Sequence, residues 1–175
     1  IETVGKPKIW AYDQLESPEE LKLLYKILDS TNDVLGYPAK IVANFITANP
    51  DFSATIASGY RDIFLKPIIQ SDASLIETWR LGLTKGVFIP QYHGRLHFNE
   101  ATMLLDLQKN ELSKRLFESG WHGGMNNLAE GGWRLHSEYL DWENGVDLNL
   151  QKAHEWIKNG VEEFKALFGF SPQST

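Results

Sequence analysis

Cysteine is absent from these 175 residues. That removes disulfides, thiolate nucleophiles and every cysteine-ligated metal site. Any ion bound here must be held by His, Asp, Glu or Asn, and the redox compartment is left open. Methionine is scarce and does not stand first, and no basic, apolar, small-residue leader opens the chain. We therefore read Ile1 as the start of a processed or trimmed product or of a fragment, with localisation open. No window approaches the roughly 18 apolar residues of a membrane span. Basic stripes are missing as well: 17 Lys and Arg stand against 23 Asp and Glu, a net charge of −6. A surface with that balance does not neutralise phosphates, which argues against nucleic acid and favours a neutral or cationic ligand. No Gly-rich phosphate loop, no G-x-S-x-G elbow and no dinucleotide fingerprint is present, nor any internal repeat.

What is there alternates between helical and strand patterns. Ser17-Pro18-Glu19-Glu20 reads as an N-cap, a first-position proline and acids against the helix dipole. Leu21, Leu24, Ile27 and Leu28 then recur at helical spacing until Gly36-Tyr37-Pro38. Ala39–Ile46 is short and rich in β-branched residues, as a buried parallel strand would be, and "TANPDF" (47–52) punctuates it. A helix over Ser71–Lys85 carries Leu75, Ile76, Trp79 and Leu83 on one face and stops at Gly86. Val87–Ile89 is the next strand. Asn99 caps a helix through Leu107, another covers Glu111–Phe117, and the last runs Leu148–Phe168 with Leu150, Ala153, Ile157, Val161, Phe164, Leu167 and Phe168 on one face. Alternation of this kind implies βα units, an α/β fold and a mainly parallel sheet. We read residues 1–175 as a single α/β domain, incomplete at both ends because two core strands are too few to close a barrel. Residues 120–147 show no sustained period and contain six glycines and three tryptophans. They read as an ordered excursion, a lid or a cleft wall.

The stretch "GVFIPQYHGRLHFNE" (86–100) holds the chemistry. His93 and His97, four residues apart, follow a strand, and ligands of parallel α/β sheets gather beyond the carboxyl ends of strands. Neutral imidazole binds zinc and other first-row divalent ions, and a catalytic zinc takes three protein ligands. These two could supply two of them. Gly94 lets backbone approach a ligand closely, and Arg95 could bind a carboxylate or steady developing negative charge. The plainer alternative is that one histidine caps a helix and the other bonds locally.

"YPAKIVANFITANPDF" (37–52), "GVFIPQYHGRLHFN" (86–99) and "LFGFSPQST" (167–175) resemble the polysaccharide deacetylases, a metal-dependent carbohydrate esterase family. "YDQLESPEEL" (12–21) is similar to a segment that follows the family's first motif. The strongest patch is "PQYHGRLHFN", whose His93 and His97 match the family's paired metal-binding histidines. The resemblance implies part of a distorted (β/α) barrel with a divalent metal, usually zinc, on one Asp and two His. It implies hydrolysis of an N- or O-acetyl group on a saccharide, with an aspartate as base and a histidine as acid. The chain departs from the family where it matters: no Asp-Asp pair occurs, and the motifs that supply the acid histidine and the arginine orienting the base would lie beyond Thr175.

Asp13, in "AYD" ahead of the first helix, is the substitute third ligand. Its alternative is a loop aspartate in the turn before Ser17. Asp51 is a weaker candidate that reads equally as the N-cap of a short helix. Asn44 and Asn49 could line a sugar site. Trp79 and Trp156 are explained by packing, whereas Trp121, Trp133 and Trp142 are the aromatic candidates for carbohydrate contact. His122 and His136 read as loop histidines and His154 as solvent-facing. Glu118, Glu130, Glu138 and Glu143 have no spacing that marks a glycosidase pair. Two rivals remain to the deacetylase reading: an inactive relative that only binds carbohydrate, and a metallohydrolase of another C–N or ester bond.

Overall fold

The computed structural model describes residues 16–120, 138–140 and 150–173. The chain divides into two compact units, one made of Ile1–Ile41 and Ser74–Ile89, the other of Val42–Ala73 and Pro90–Thr175. Among the described residues no helix is long and apolar enough to cross a membrane.

In the first unit, α1 (Pro18–Ser30) begins with the capping box that the sequence announces. Ser17 Oγ accepts the Glu20 N–H at 3.2 Å, and the Glu20 carboxylate accepts the Ser17 N–H at 2.9 Å. Two otherwise orphaned donors are thereby satisfied. The buried residues of α1 are Leu21 and Tyr25. Ile27, expected on the apolar face, is 53% exposed, because it lies about 200° around the helix from Tyr25. α3 (Ala73–Lys85) buries Leu75, Ile76, Thr78, Trp79 and Gly82. Gly82 is needed there: a Cβ would collide with the Tyr25 ring and Phe88. Gly86 ends the helix as expected, at φ +71° with its N–H on Leu83 O.

Two strands, β1 (Ile41–Phe45) and β4 (Phe88–Tyr92), form a small parallel sheet. The Ile41 N–H donates to Val87 O at its start and the His93 N–H to Phe45 O at its end, 2.9 and 2.8 Å. The second strand thus runs through Pro90, three residues beyond the expected end at Ile89. Alternate residues of a parallel strand bond to the same neighbour. Val87 and His93 are both odd-numbered, so the Pro90 nitrogen faces away from β1 and costs the ladder nothing. The first strand is not buried on both faces as expected, since Val42 is 60% exposed and Asn44 is exposed. Among the described residues no barrel closes; the architecture is mixed α/β.

In the second unit, "TANPDF" contains a strand as well as a turn. β2 (Ala48–Pro50) pairs antiparallel with β3 (Leu65–Pro67), Asn49 standing opposite Lys66. Between them, α2 (Phe52–Ala57) is capped by Asp51, whose Oδ1 accepts the Ala54 N–H at 2.9 Å. α4 (Glu100–Lys109), α5 (Glu111–Glu118) and α6 (Leu150–Phe168) follow. Ala48, Leu96, Phe98, Met103, Leu107, Phe117 and Trp156 form one buried cluster. Each large side chain in it contributes roughly 2–3 kcal/mol of burial. The α6 stripe is rotated from the expected one: Trp156 and Gly160 are buried, while Leu150 and Ile157 are exposed.

Candidate functional site

The segment after β4 alternates between outside and inside. His93 and His97 are exposed, whereas Leu96 and Phe98 enter the buried cluster. Burial of these two apolar anchors holds the histidines at the surface. The backbone between is fixed by the His93 N–H on Phe45 O and by Arg95 O, which accepts from both Thr47 and Ala48 N–H at 3.1 and 2.9 Å. Gly94 makes the turn at φ +94°, a conformation costly for any residue with a Cβ. The result brings the imidazoles together, ring centres 5.3 Å apart and planes inclined at 54°.

That spacing suits a shared ion. Two imidazoles bonded at about 2 Å to one tetrahedral centre have ring centres roughly 5 Å apart. The separation of the rings is that of two such ligands. Among the described residues, no group of three His, Asp or Glu side chains converges to hold an ion. A third donor, if protein supplies it, comes from elsewhere.

A polar cluster packs on the backbone of the turn at Gly94 and Leu96. The Glu138 carboxyl sits on Gly94, its oxygens 3.3 and 3.5 Å from where a Cβ would stand. It accepts hydrogen bonds from the Leu96 N–H and the Tyr139 hydroxyl, yet burial outweighs both and pushes its pKa up to about 7. Glu138 Oε2 and Tyr92 Oη are buried without hydrogen-bond partners. Burial raises the Tyr92 pKa, and the nearby Tyr139, Glu138 and Glu163 raise it further while Arg95 opposes them. Gly160 on α6 provides the notch for the Tyr92 ring.

Arg95, a candidate for binding a substrate carboxylate, is engaged by a carboxylate of the chain itself: its Nη2 lies 3.0 Å from Glu163 Oε1. Asn49 lies half-buried in β2. Asn44 is exposed on β1, and His154 is exposed on α6. Asp51 serves as a helix cap, and Trp79 and Trp156 are core residues. Asp13, Trp121, Trp133, Trp142, His122 and His136 lie outside the described residues.

Glu163 escaped the sequence reading, and Glu138 figures there only as one of four glutamates without glycosidase spacing. Glu163 left a signal, being three residues after buried Gly160 and four before buried Leu167, on the apolar stripe of α6. Glu138 left none, since its neighbours show no period. No family model, no curated protein and no solved structure matches this chain.

Proposed function

We propose that this chain is a metal-dependent hydrolase of the polysaccharide deacetylase type, removing an N- or O-acetyl group from a saccharide. In this reading β1 and β4 are neighbouring strands of a (β/α) barrel. The observation that carries it is the His93–His97 pair, held at ion-sharing distance beyond the carboxyl end of β4. Active sites of such barrels occupy that end.

His93 and His97 would hold a divalent cation, and zinc, the usual ion of the family, is among those that imidazole donors suit. Asp13 would substitute as the third ligand, since the family's own aspartate pair does not occur in these residues. Bound there, the ion supplies an acidified water and polarises the acyl carbonyl. The chain's own part is to hold both imidazoles in register. Gly94 turns the backbone, Leu96 and Phe98 anchor it, and Arg95 is tied to Glu163 so that the turn cannot swing. Trp121 and Trp133 would stack on the apolar face of a pyranose ring, with Asn49 as a polar contact. The net charge of −6 suits a neutral acetylated sugar.

Calorimetric titration with zinc tests the reading, together with acetate release from N-acetylated and O-acetylated oligosaccharides. One zinc per chain is expected, with affinity down 100-fold or more in the His93→Ala/His97→Ala double variant. Zinc bound equally well by that variant, or sugar binding without zinc and without acetate release, would overturn it.

A further inference from the structure

We propose that Glu163 is a positioning residue of the His93–His97 site. Acting through Arg95, the residue midway between the two histidines, this α6 carboxylate sets the register in which both imidazoles face one ion. The assignment deepens the hydrolase reading and rests on its metal-binding pair.

The turn itself creates the need. His93 is fixed at the end of β4 by its N–H on Phe45 O, and His97 stands between Leu96 and Phe98, both in the buried cluster. Between these fixed points lies Gly94 at φ +94°. Glycine has no Cβ to select one backbone well, so its freedom has to be removed from outside the residue. Arg95 comes next, two positions from each histidine. Whatever holds Arg95 holds the angle between the rings.

Three residues from three parts of the second unit do this together. Thr47 follows β1, Arg95 lies in the turn and Glu163 lies on α6. The Arg95 carbonyl accepts the Thr47 N–H at 3.1 Å. Thr47 Oγ1 donates to Glu163 Oε2 at 2.8 Å. The carboxylate closes the ring, taking Arg95 Nη2 on Oε1 at 3.0 Å and Nε on both oxygens at 3.2 and 3.3 Å. Thr47, at 0% exposure, thus grips the Arg95 backbone with its amide and the Glu163 carboxylate with its hydroxyl. A guanidinium fork on a carboxylate fixes orientation as well as distance. Such a ring resists the rotation at Arg95 that a single contact would allow.

Chemistry favours positioning over plain cohesion. A buried ion pair has given up its water, and apolar side chains of similar volume often hold a fold as well. What the pair adds is direction. Here the direction is imposed at the centre of an H-x-x-x-H segment whose imidazole ring centres stand 5.3 Å apart. Groups that orient ligands from outside the coordination sphere change metal affinity by roughly 10–100-fold.

The test compares the full chain with Glu163→Gln, and with Ser113→Ala as a variant that loosens the same unit elsewhere. Ser113 is fully buried on α5 and donates to Asp106. Glutamine fills the space of glutamate, but one amide oxygen cannot serve both Arg95 and Thr47 as two carboxylate oxygens do. Zinc titration of Glu163→Gln should show a site weakened about 10–100-fold. Ser113→Ala should stay within about twofold of the wild type. Without metal, nuclear Overhauser contacts between the His93 and His97 ring protons should appear in the wild type and in Ser113→Ala and be lost in Glu163→Gln. Arg95→Lys keeps the charge without the fork; it should weaken zinc about tenfold and serves if Glu163→Gln does not fold. Unchanged zinc affinity in Glu163→Gln, or an equal loss in Ser113→Ala, overturns the assignment. A wild type that binds no zinc or releases no acetate overturns the hydrolase reading instead, and the ring contact, read without metal, then decides the positioning role by itself.

Discussion

Arg95 and Glu163, 68 positions apart in sequence, are locked by three contacts. Arg95 Nη2 lies 3.0 Å from Oε1, and Nε lies 3.2 and 3.3 Å from the two carboxylate oxygens. Thr47 Oγ1 donates to Oε2 at 2.8 Å. Both charged side chains are largely buried, 15% and 16% exposed. The histidine turn is thereby tied to α6 by a charge-assisted, forked interaction rather than by apolar contact alone.

Removing one partner of such a pair strands the other charge in a poorly solvated place. Glu163→Ala should therefore cost roughly 3 kcal/mol, read as a lower midpoint in urea at unchanged slope. The exposed Lys85–Asp29 pair, 3.5 Å apart at 41% and 54% exposure, provides the contrast. Asp29→Asn should cost less than about 0.5 kcal/mol. Equal losses in the two variants would mean that the Arg95 pair is solvated.

The Tyr92 ring and the Tyr92 hydroxyl should affect stability in opposite directions. Its ring fills the notch that Gly160 leaves in α6, while its hydroxyl is unpartnered. Tyr92→Phe keeps the ring and removes the orphan, so denaturant unfolding should show a gain of up to about 1 kcal/mol. Gly160→Ala should lose about 2 kcal/mol. The helix gains about 1 kcal/mol of propensity from alanine, but the new methyl meets a ring that has nowhere to go.

Glu138 sets the sign of a pH effect. Its carboxyl is shifted from 4.5 to about 7, chiefly by burial. Between those values the folded chain keeps a proton that the unfolded chain has released, so stability falls as pH rises through the window and the loss is complete above it. Glu138→Gln has no such proton to lose. The variant should exceed the wild type by about 1–2 kcal/mol near pH 8, a figure reduced for partial exposure. Near pH 4 the two should agree, as thermal melts at both pH values would show.

Local signals were readable from the sequence where the physics is local. Ser17, Asp51 and Asn99 cap helices because each side chain needs only a backbone N–H two or three residues ahead. Gly86 terminates α3 for a similar reason. The β2–β3 pair was not readable: three-residue strands each ending in proline carry no alternation, and their pairing depends on Thr47 and Ala48 N–H reaching Arg95 O. The stripes of α1 and α6 were misplaced by treating every Leu and Ile as inward. Tyr25, Trp156 and the glycines that admit other rings took those places. In the site, the paired histidines were visible because they stand only four positions apart. Their carboxylate neighbours lie 41 and 66 residues beyond His97, a separation no spacing rule reaches.

Asn99 joins these levels, and its variants can separate them. The side chain is 2% exposed. Its Oδ1 caps α4 by accepting the Thr102 N–H at 3.0 Å, and its Nδ2 donates to Leu140 O, two residues after Glu138. Were capping its sole role, Asn99→Asp would be neutral, since aspartate caps as well as asparagine. The aspartate instead turns a carboxylate oxygen toward the Leu140 carbonyl inside the protein, which should cost about 2–3 kcal/mol near pH 7. Near pH 4 a protonated aspartate can donate again, so part of the loss should return. Hydrogen exchange localises the damage. The Leu96 amide, whose acceptor is the Glu138 carboxyl, should lose protection in Asn99→Asp, while the Ala48 amide on Arg95 O keeps its own. Protection lost equally at both amides would show that the 138–140 segment does not fasten the histidine turn.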